Sequence, residues 1–206
     1  MNTLFPVFIK PHQLNLLIVG GGNVGEEKLS AILANSPDAR VTVVAGYVKE
    51  EVTALARAAS HVLIVNRNYC PSDLKGKDLV ICATDNVKLH HEIRRKCRAL
   101  NILVNVADTP ELCDFYLGSV VRKGDLKIAV STNGKSPTLA KRFREIMEEI
   151  IPDNIQDVLD NLEAIRKKLK GNFQYKVHKL NEITSVMRTE HLNSDNQTNQ
   201  NQQLNG

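Results

Sequence analysis

Aromatic residues make up only 4% of this 206-residue chain, and tryptophan is absent. The few aromatics do not interleave with the basic runs, so the stacking platform that nucleic acid needs is missing. Four cysteines (Cys70, Cys82, Cys97 and Cys113) are scattered without a CxxC pair, which indicates neither a zinc site nor a disulfide framework. Cys82 and Cys97 read as buried thiols. No apolar run reaches the about 20 residues of a membrane span, and no signal peptide is recognisable, so the expectation is a cytoplasmic protein with no membrane partner. HExxH, GxSxG and Cys/His nucleophile patterns are also missing, and His90 and His91, lacking ligand spacing, are expected to be solvated. No metal ligand is assigned.

What the chain has is a short apolar strand, Leu16-Leu17-Ile18-Val19, running into Gly20-Gly21-Gly22-Asn23-Val24-Gly25 and then at once into a helical pattern. The apolar run suits a strand buried on both faces. In Gly20-x-Gly22-x-x-Gly25, Gly20 makes the tight turn and Gly22 lets a pyrophosphate approach the backbone. Gly25 lets the helix pack on the strand, and the helix N-terminus offers its free N–H groups. Strand before and helix after are the context that gives the motif weight as a dinucleotide loop.

The same alternation continues. Val24, Lys28, Ala31, Ile32 and Asn35 trace the first helix, with Leu29 and Leu33 on its inner side and Glu26 and Glu27 in its first turn. Strands follow at 41–45, 62–65, 79–83 and 102–107. Between them lie a helix through Val48, Val52, Leu55, Ala56 and Ala59 and one through Val87, Ile93, Cys97 and Leu100. This order predicts an α/β fold, a Rossmann-like doubly wound parallel sheet. Pro6-Val7-Phe8-Ile9 reads as a short edge strand closed by Pro11.

The pattern then changes. Residues 115–121 and 126–132 read as two strands joined at Lys123-Gly124-Asp125, too close for a crossover helix. Ser136 as N-cap and Pro137 at the first position open a helix with Leu139, Phe143, Ile146, Met147 and Ile150 inward. Pro152 ends it. Helices through Ile155–Leu169 and Phe173–Met187 follow, and from about Asn193 an Asn/Gln-rich stretch reads as a disordered tail. The expected division is therefore 1–112 for the dinucleotide-binding domain, 113–151 for a small α+β dimerisation segment, 152–192 for C-terminal helices and 193–206 for the tail.

In a doubly wound sheet the ligand lies beyond the carboxyl ends of the strands. The acid that usually grips the adenine ribose is missing after the second strand, where Ala45, Gly46 and Tyr47 stand, and no arginine follows directly to select a 2′-phosphate. Backbone contacts from Gly46 and Tyr47 can substitute. Thr84 and Asp85 either cap the next helix or touch the cofactor. Asp108, after the last strand, is either a turn former before Thr109-Pro110 or, if partly buried, a proton acceptor. The net charge of +4 is modest but uneven. Arg94, Arg95, Lys96 and Arg98 cluster, as do Lys135, Lys141, Arg142 and Arg144. These are either solvated helix faces or a site for a polyanionic small molecule.

Together the glycine loop with Lys28, Ala83-Thr84-Asp85, the run from Asn105-Val106-Ala107-Asp108-Thr109-Pro110 to Phe115, and Ile128 to Pro137 with Ser131-Thr132-Asn133-Gly134-Lys135-Ser136 resemble the precorrin-2 dehydrogenase/sirohydrochlorin ferrochelatase family of siroheme synthesis. The resemblance runs in order from about Phe5 to Ile151. It implies NAD-dependent oxidation of precorrin-2 to sirohydrochlorin and, in some members, insertion of Fe²⁺ as a second substrate. It also implies a homodimer in which residues 115–150 exchange contacts between subunits. The family aspartate falls on Asp108. The cofactor loop falls on Gly20, Gly22, Asn23, Val24 and Gly25, with further contacts around Gly46, Tyr47 and Thr84, and a substrate loop on Ser131, Thr132, Lys135 and Ser136. The missing ribose acid is usual in that family. The chain departs from its pattern at Gly25, where alanine is common, at Gly118, where proline is, and at Asn133, where glycine is. The methyltransferase domain fused to some members has no counterpart here, which implies precorrin-2 made by a separate enzyme. The competing reading is a Rossmann module that senses NAD(H) without catalysis. It accounts for everything up to Val106 and leaves the Ser131–Pro137 loop without a purpose.

Overall fold

The computed structural model describes residues 4–185. Of these, 4–122 with Ile128–Met147 form one compact unit, and Lys123–Lys127 with 148–185 form a second.

The first unit is built on five parallel strands, β1 (Asn15–Gly21), β2 (Arg40–Val48), β3 (Val62–Asn66), β4 (Leu79–Cys82) and β5 (Leu103–Val106), in the order β3-β2-β1-β4-β5. Helices α1 (Asn23–Asn35), α2 (Glu50–Ala58) and α3 (Val87–Ala99) make the crossovers. The period-2 alternation of the strands divides the core between the two faces of the sheet. Leu16, Ile18, Val41, Val43, Leu79 and Ile81 pack with Leu29 and Ile32 of α1 and Val52 of α2. Leu17, Val19, Val44, Val80, Val104 and Val106 pack with Ile93 and Cys97 of α3. Strands apolar on both sides are what a sheet covered on both faces requires, and the doubly wound fold follows. The order reverses between β1 and β4, which opens a crevice beyond their carboxyl ends.

Several local expectations are corrected. Residues 6–9 form no strand; they are irregular and exposed, with Phe8 at 70%. β1, which they lead toward, already has β2 on one side and β4 on the other, so neither of its edges is free for them. Val48 closes β2 rather than opening α2, because β2 gains two residues opposite the glycine turn: Val19 pairs with Val44 but Gly21 with Val48. In α1 the inward face is Gly25, Leu29 and Ile32, and Ala31 is exposed. In α3 the buried positions are His90, Ile93 and Cys97, while Val87 and Leu100 are exposed. His90 is thus not a solvated histidine. Asn86, not Thr84 or Asp85, caps α3, its Oδ1 accepting from the Leu89 N–H at 3.0 Å. Cys82 and Cys97 are buried, as expected, and burial pushes their thiols up to about 12 and about 11.

The two-strand segment is β6 (Ser119–Lys123) and β7 (Leu126–Val130), turned by Gly124 at φ 57° and Asp125. Helix α4 (Pro137–Ile150) follows and is capped by Ser136, whose Oγ accepts from the Leu139 N–H at 3.2 Å. Its Ala140 is buried, whereas Leu139, Phe143 and Ile146, expected inward, are 48%, 45% and 39% exposed.

In the second unit, α5 (Ile155–Lys168) and α6 (Phe173–Thr184) accompany the turn between the two strands. Lys123 donates to the Ile151 carbonyl at 2.5 Å and pairs with Asp153 at 2.6 Å. Gln156 accepts from the Asp125 N–H and donates to its carboxylate. Met187 and the tail expected from Asn193 lie outside the described residues.

Candidate functional site

The three glycines of the loop differ in what their bareness does. Gly20 lies at φ 117°, and a Cβ there would stand 2.3 Å from the Ala83 carbonyl oxygen and 3.1 Å from Thr84 Cγ2. A Cβ on Gly25 would stand 2.2 Å from the Gly20 carbonyl oxygen, so its absence brings α1 onto β1. Gly22, the N-cap of α1, has nothing within 4 Å of its Cβ position. That open space fits a pyrophosphate against the backbone at a helix N-terminus, where the first N–H groups have no intrahelical acceptor. Glu26 in the first turn would oppose an anion, and Lys49 answers it at 2.6 Å. The carboxylate beside it raises the Lys49 ammonium's pKa.

Around this loop the crevice assembles most of the residues expected there. Gly21 pairs with Val48, a Cβ on it would stand 2.8 Å from the Tyr47 carbonyl oxygen, and its own carbonyl accepts from the Lys49 N–H at 2.9 Å. This brings Gly46 and Tyr47 to the loop's side, and Tyr47 is 72% exposed. Thr84 lies against Gly20 on the other side. Asn23 is exposed at the first position of α1, while Val24 packs on the core.

A separate concavity of about 410 Å³ opens in the same unit. α1 contributes Glu27, Lys28 and Ala31, one turn beyond the glycine loop, and the segment after β5 contributes Ala107, Asp108 and Thr109. Ser131 and Thr132 also line it. Lys135 and Ser136, expected beside them, are not in the wall. Lys135 is exposed, and Ser136 is held as a cap, with Thr132 Oγ1 accepting from its N–H and donating to its carbonyl. Asn133, where the resemblance led one to expect glycine, takes φ 54° beside Gly134 at 74°. Asparagine is the side chain that tolerates that backbone region best, so the substitution keeps the turn.

Asp108 sits at φ 56° immediately after Ala107, whose N–H donates to the Cys82 carbonyl at 3.0 Å. The partial burial expected of it is not observed: Asp108 is exposed on the pocket wall. Its turn is held from behind by side chains that sequence reasoning missed. Cys113 Sγ donates to the Val106 carbonyl and accepts from the Val106 N–H, both at 3.2 Å. Asp114 accepts from the Val104 N–H at 3.0 Å and pairs with Arg94. The outer edge of β5 is thereby closed by the two residues that follow the Asp108 turn. A signal was present in the sequence: a Cys-Asp pair seven and eight residues past the end of a strand, with a basic helix before it.

Five of the eight basic residues in the two clusters have acidic neighbours. Arg94 is taken by Asp114, Lys96 faces Glu92 at 3.5 Å, and Lys141, Arg142 and Arg144 all lie within 4 Å of Glu145. Neither cluster reaches the pocket, where Lys28 is the sole cationic side chain among the described lining residues.

Residues 7–119 match the family described as "Putative NAD(P)-binding". The chain belongs to that family. Residues 123–150 match a second model, "Sirohaem biosynthesis protein central". Among curated proteins, the siroheme synthase of Psychrobacter sp. (strain PRwf-1) is 41% identical over 152 residues, which are 74% of this chain and 30% of that protein. The siroheme synthase of Pseudoalteromonas atlantica is 37% identical over 169 residues, 82% of this chain and 36% of that one. The chain thus spans about a third of the length of the curated relatives it matches. The solved structure of "SirC, precorrin-2 dehydrogenase" superposes with a TM-score of 0.71 at 20% identity, over 96% of this chain and 98% of that one. At that identity the likeness is one of fold.

Proposed function

We propose that the chain oxidises precorrin-2 to sirohydrochlorin with NAD⁺, as a homodimer. Carrying the reading is the placement of Asp108 on the wall of a pocket that α1 also lines, one turn from the glycine loop. A dinucleotide site and a concavity with a carboxylate therefore share one helix. Gly22 and the α1 N-terminus would hold the pyrophosphate, with Gly46, Tyr47 and Thr84 beside it. When bound, NAD⁺ supplies the acceptor for the hydride removed from the macrocycle.

The chain's own residues must then bind a carboxylate-rich substrate and take a proton. Lys28, half-buried on the wall, is paired with Glu27 at 2.7 Å and would exchange that carboxylate for one of the substrate's, while Ser131 and Thr132 offer hydroxyls. Asp108 accepts the proton lost from the substrate and, being exposed, passes it to water. NAD⁺ is favoured over NADP⁺ because no arginine lies on Ala45–Tyr47. Arg67, at the end of the neighbouring strand, has both terminal nitrogens on Asp73, at 2.8 and 2.6 Å. Proton removal by the same carboxylate would also serve Fe²⁺ insertion into the product.

Incubation of the purified chain with precorrin-2 and either NAD⁺ or NADP⁺, then with Fe²⁺, followed by absorption spectroscopy, tests each part. Sirohydrochlorin formation with NAD⁺ is expected. NAD⁺ binding without any turnover would favour the non-catalytic sensor.

A further inference from the structure

His90 is 3% exposed, on the helix that follows the crevice, and neither binding nor proton transfer as described above uses it. Its Nε2 lies 2.9 Å from Thr84 Oγ1. Its Nδ1 is buried and has no hydrogen-bond partner among the described residues. Burial lowers its pKa, with the Thr84 backbone and Asp85 pulling the other way, so the neutral ring with a single N–H is favoured. A buried N–H without an acceptor is rarer and costlier than a bare lone pair. The proton therefore belongs on Nε2, where Thr84 Oγ1 can accept it.

A threonine hydroxyl has two acceptor lone pairs and one proton to donate. One lone pair takes Nε2–H, and the other takes the Asn86 N–H at 3.4 Å. What is left is the O–H. Thr84 stands just past the end of β4, and its Cγ2 methyl, not its hydroxyl, lies beside the glycine loop, 3.1 Å from where a Gly20 Cβ would stand. We propose that His90 is a positioning residue: by donating to Thr84 Oγ1 it turns the threonine hydroxyl proton toward the crevice, as a fixed donor to a phosphate or ribose oxygen of the bound dinucleotide. This rests on the dinucleotide reading of the glycine loop. It extends that reading from backbone contacts to a two-side-chain relay.

The test uses the full chain and calorimetric titration with NAD⁺. Thr84→Val and His90→Phe keep shape and lose one bond each; both are expected to weaken NAD⁺ by about three- to tenfold, the worth of one neutral hydrogen bond. The double variant should be no weaker than Thr84→Val alone, because His90 acts only through the hydroxyl. His90→Gln, whose amide N–H can replace Nε2–H, should restore most of the affinity. Long-range ¹⁵N–¹H correlation on the wild-type protein should show a protonated Nε2 and a bare Nδ1. Wild-type affinity in both single variants, or multiplying losses in the double variant, would overturn the proposal. The opposite tautomer would overturn it even if His90→Phe failed to fold. Wild-type protein that bound no dinucleotide would instead remove the reading on which the proposal stands.

Discussion

Gly20 and Gly22 are two residues apart and should fail in different ways. A side chain on Gly20 meets the Ala83 carbonyl and needs φ 117°, so Gly20→Ala should destabilise the fold by about 1–3 kcal/mol through clash and backbone strain. Gly22 has φ −85° and empty space around it. Gly22→Val should therefore leave the melting temperature within a few degrees of wild type and abolish NAD⁺ binding in calorimetry. Retained affinity would take the phosphate away from this loop. Asp108 poses the sharper question, since its φ of 56° is a conformation that Asp and Asn both tolerate. Asp108→Asn keeps the turn and the size and removes the basicity. It should slow precorrin-2 oxidation by about 10²–10⁴-fold, the usual worth of a general base, with NAD⁺ affinity and melting temperature unchanged. Near-wild-type turnover would assign the proton to water. A loss of stability in step with activity would make Asp108 a turn former only.

Among the elements, the segment between β3 and β4 offers a pH test away from the pocket. Asp73, in the 3-10 turn Pro71–Leu74, binds Arg67 through both carboxylate oxygens and accepts from the Cys70 N–H at 2.9 Å. The Arg67 hydrogen bonds, chiefly, hold its pKa at about 2 against an ordinary 3.8. A depressed carboxylate stabilises the fold in full above its unfolded pKa and loses that contribution as pH falls through the folded one. Allowing for the half-exposed guanidinium, Asp73→Asn should cost about 1–2 kcal/mol at pH 6. The gap between variant and wild type in urea unfolding should close as the pH drops toward 2. A gap constant over that range would mean that Asp73 acts by shape and not by charge. Elements of this kind were the least legible in the sequence. The strands announced themselves because burial on both faces demands unbroken apolar runs, and the Ser136-Pro137 cap because its chemistry is local. The closure of the β5 edge by Cys113 and Asp114 depends on a return of the chain that no periodicity encodes. Arg94 accordingly stood open between a solvated helix face and a polyanion site until Asp114 was seen beside it, and His90 looked solvated until Thr84 was.

At the scale of the whole molecule, the glycine loop and alternating pattern were enough to specify the parallel sheet, its crevice and the membership of an NAD(P)-binding family. The pocket was not, because its walls come from α1, the β5 turn and the 131–132 loop, which are remote in sequence. One surface was read the wrong way round, and it bears on assembly. Leu139, Phe143 and Ile146 repeat at i, i+4 and i+7 on α4, the pattern of an inward helix face, yet each stays more than a third exposed. Completing their burial is worth roughly 1 kcal/mol apiece, about half the value for a fully transferred side chain. A stripe of this kind is self-complementary across a two-fold axis, where the same three residues count twice. We therefore propose α4 as the contact of the homodimer proposed above. Light scattering at micromolar concentration should give twice the chain mass. Phe143→Asp with Ile146→Asp should give a folded monomer with an unchanged NAD⁺ affinity, since neither residue touches the glycine loop or lines the pocket. A monomeric wild type would remove the dimer, and a variant that stayed dimeric would move the interface off α4.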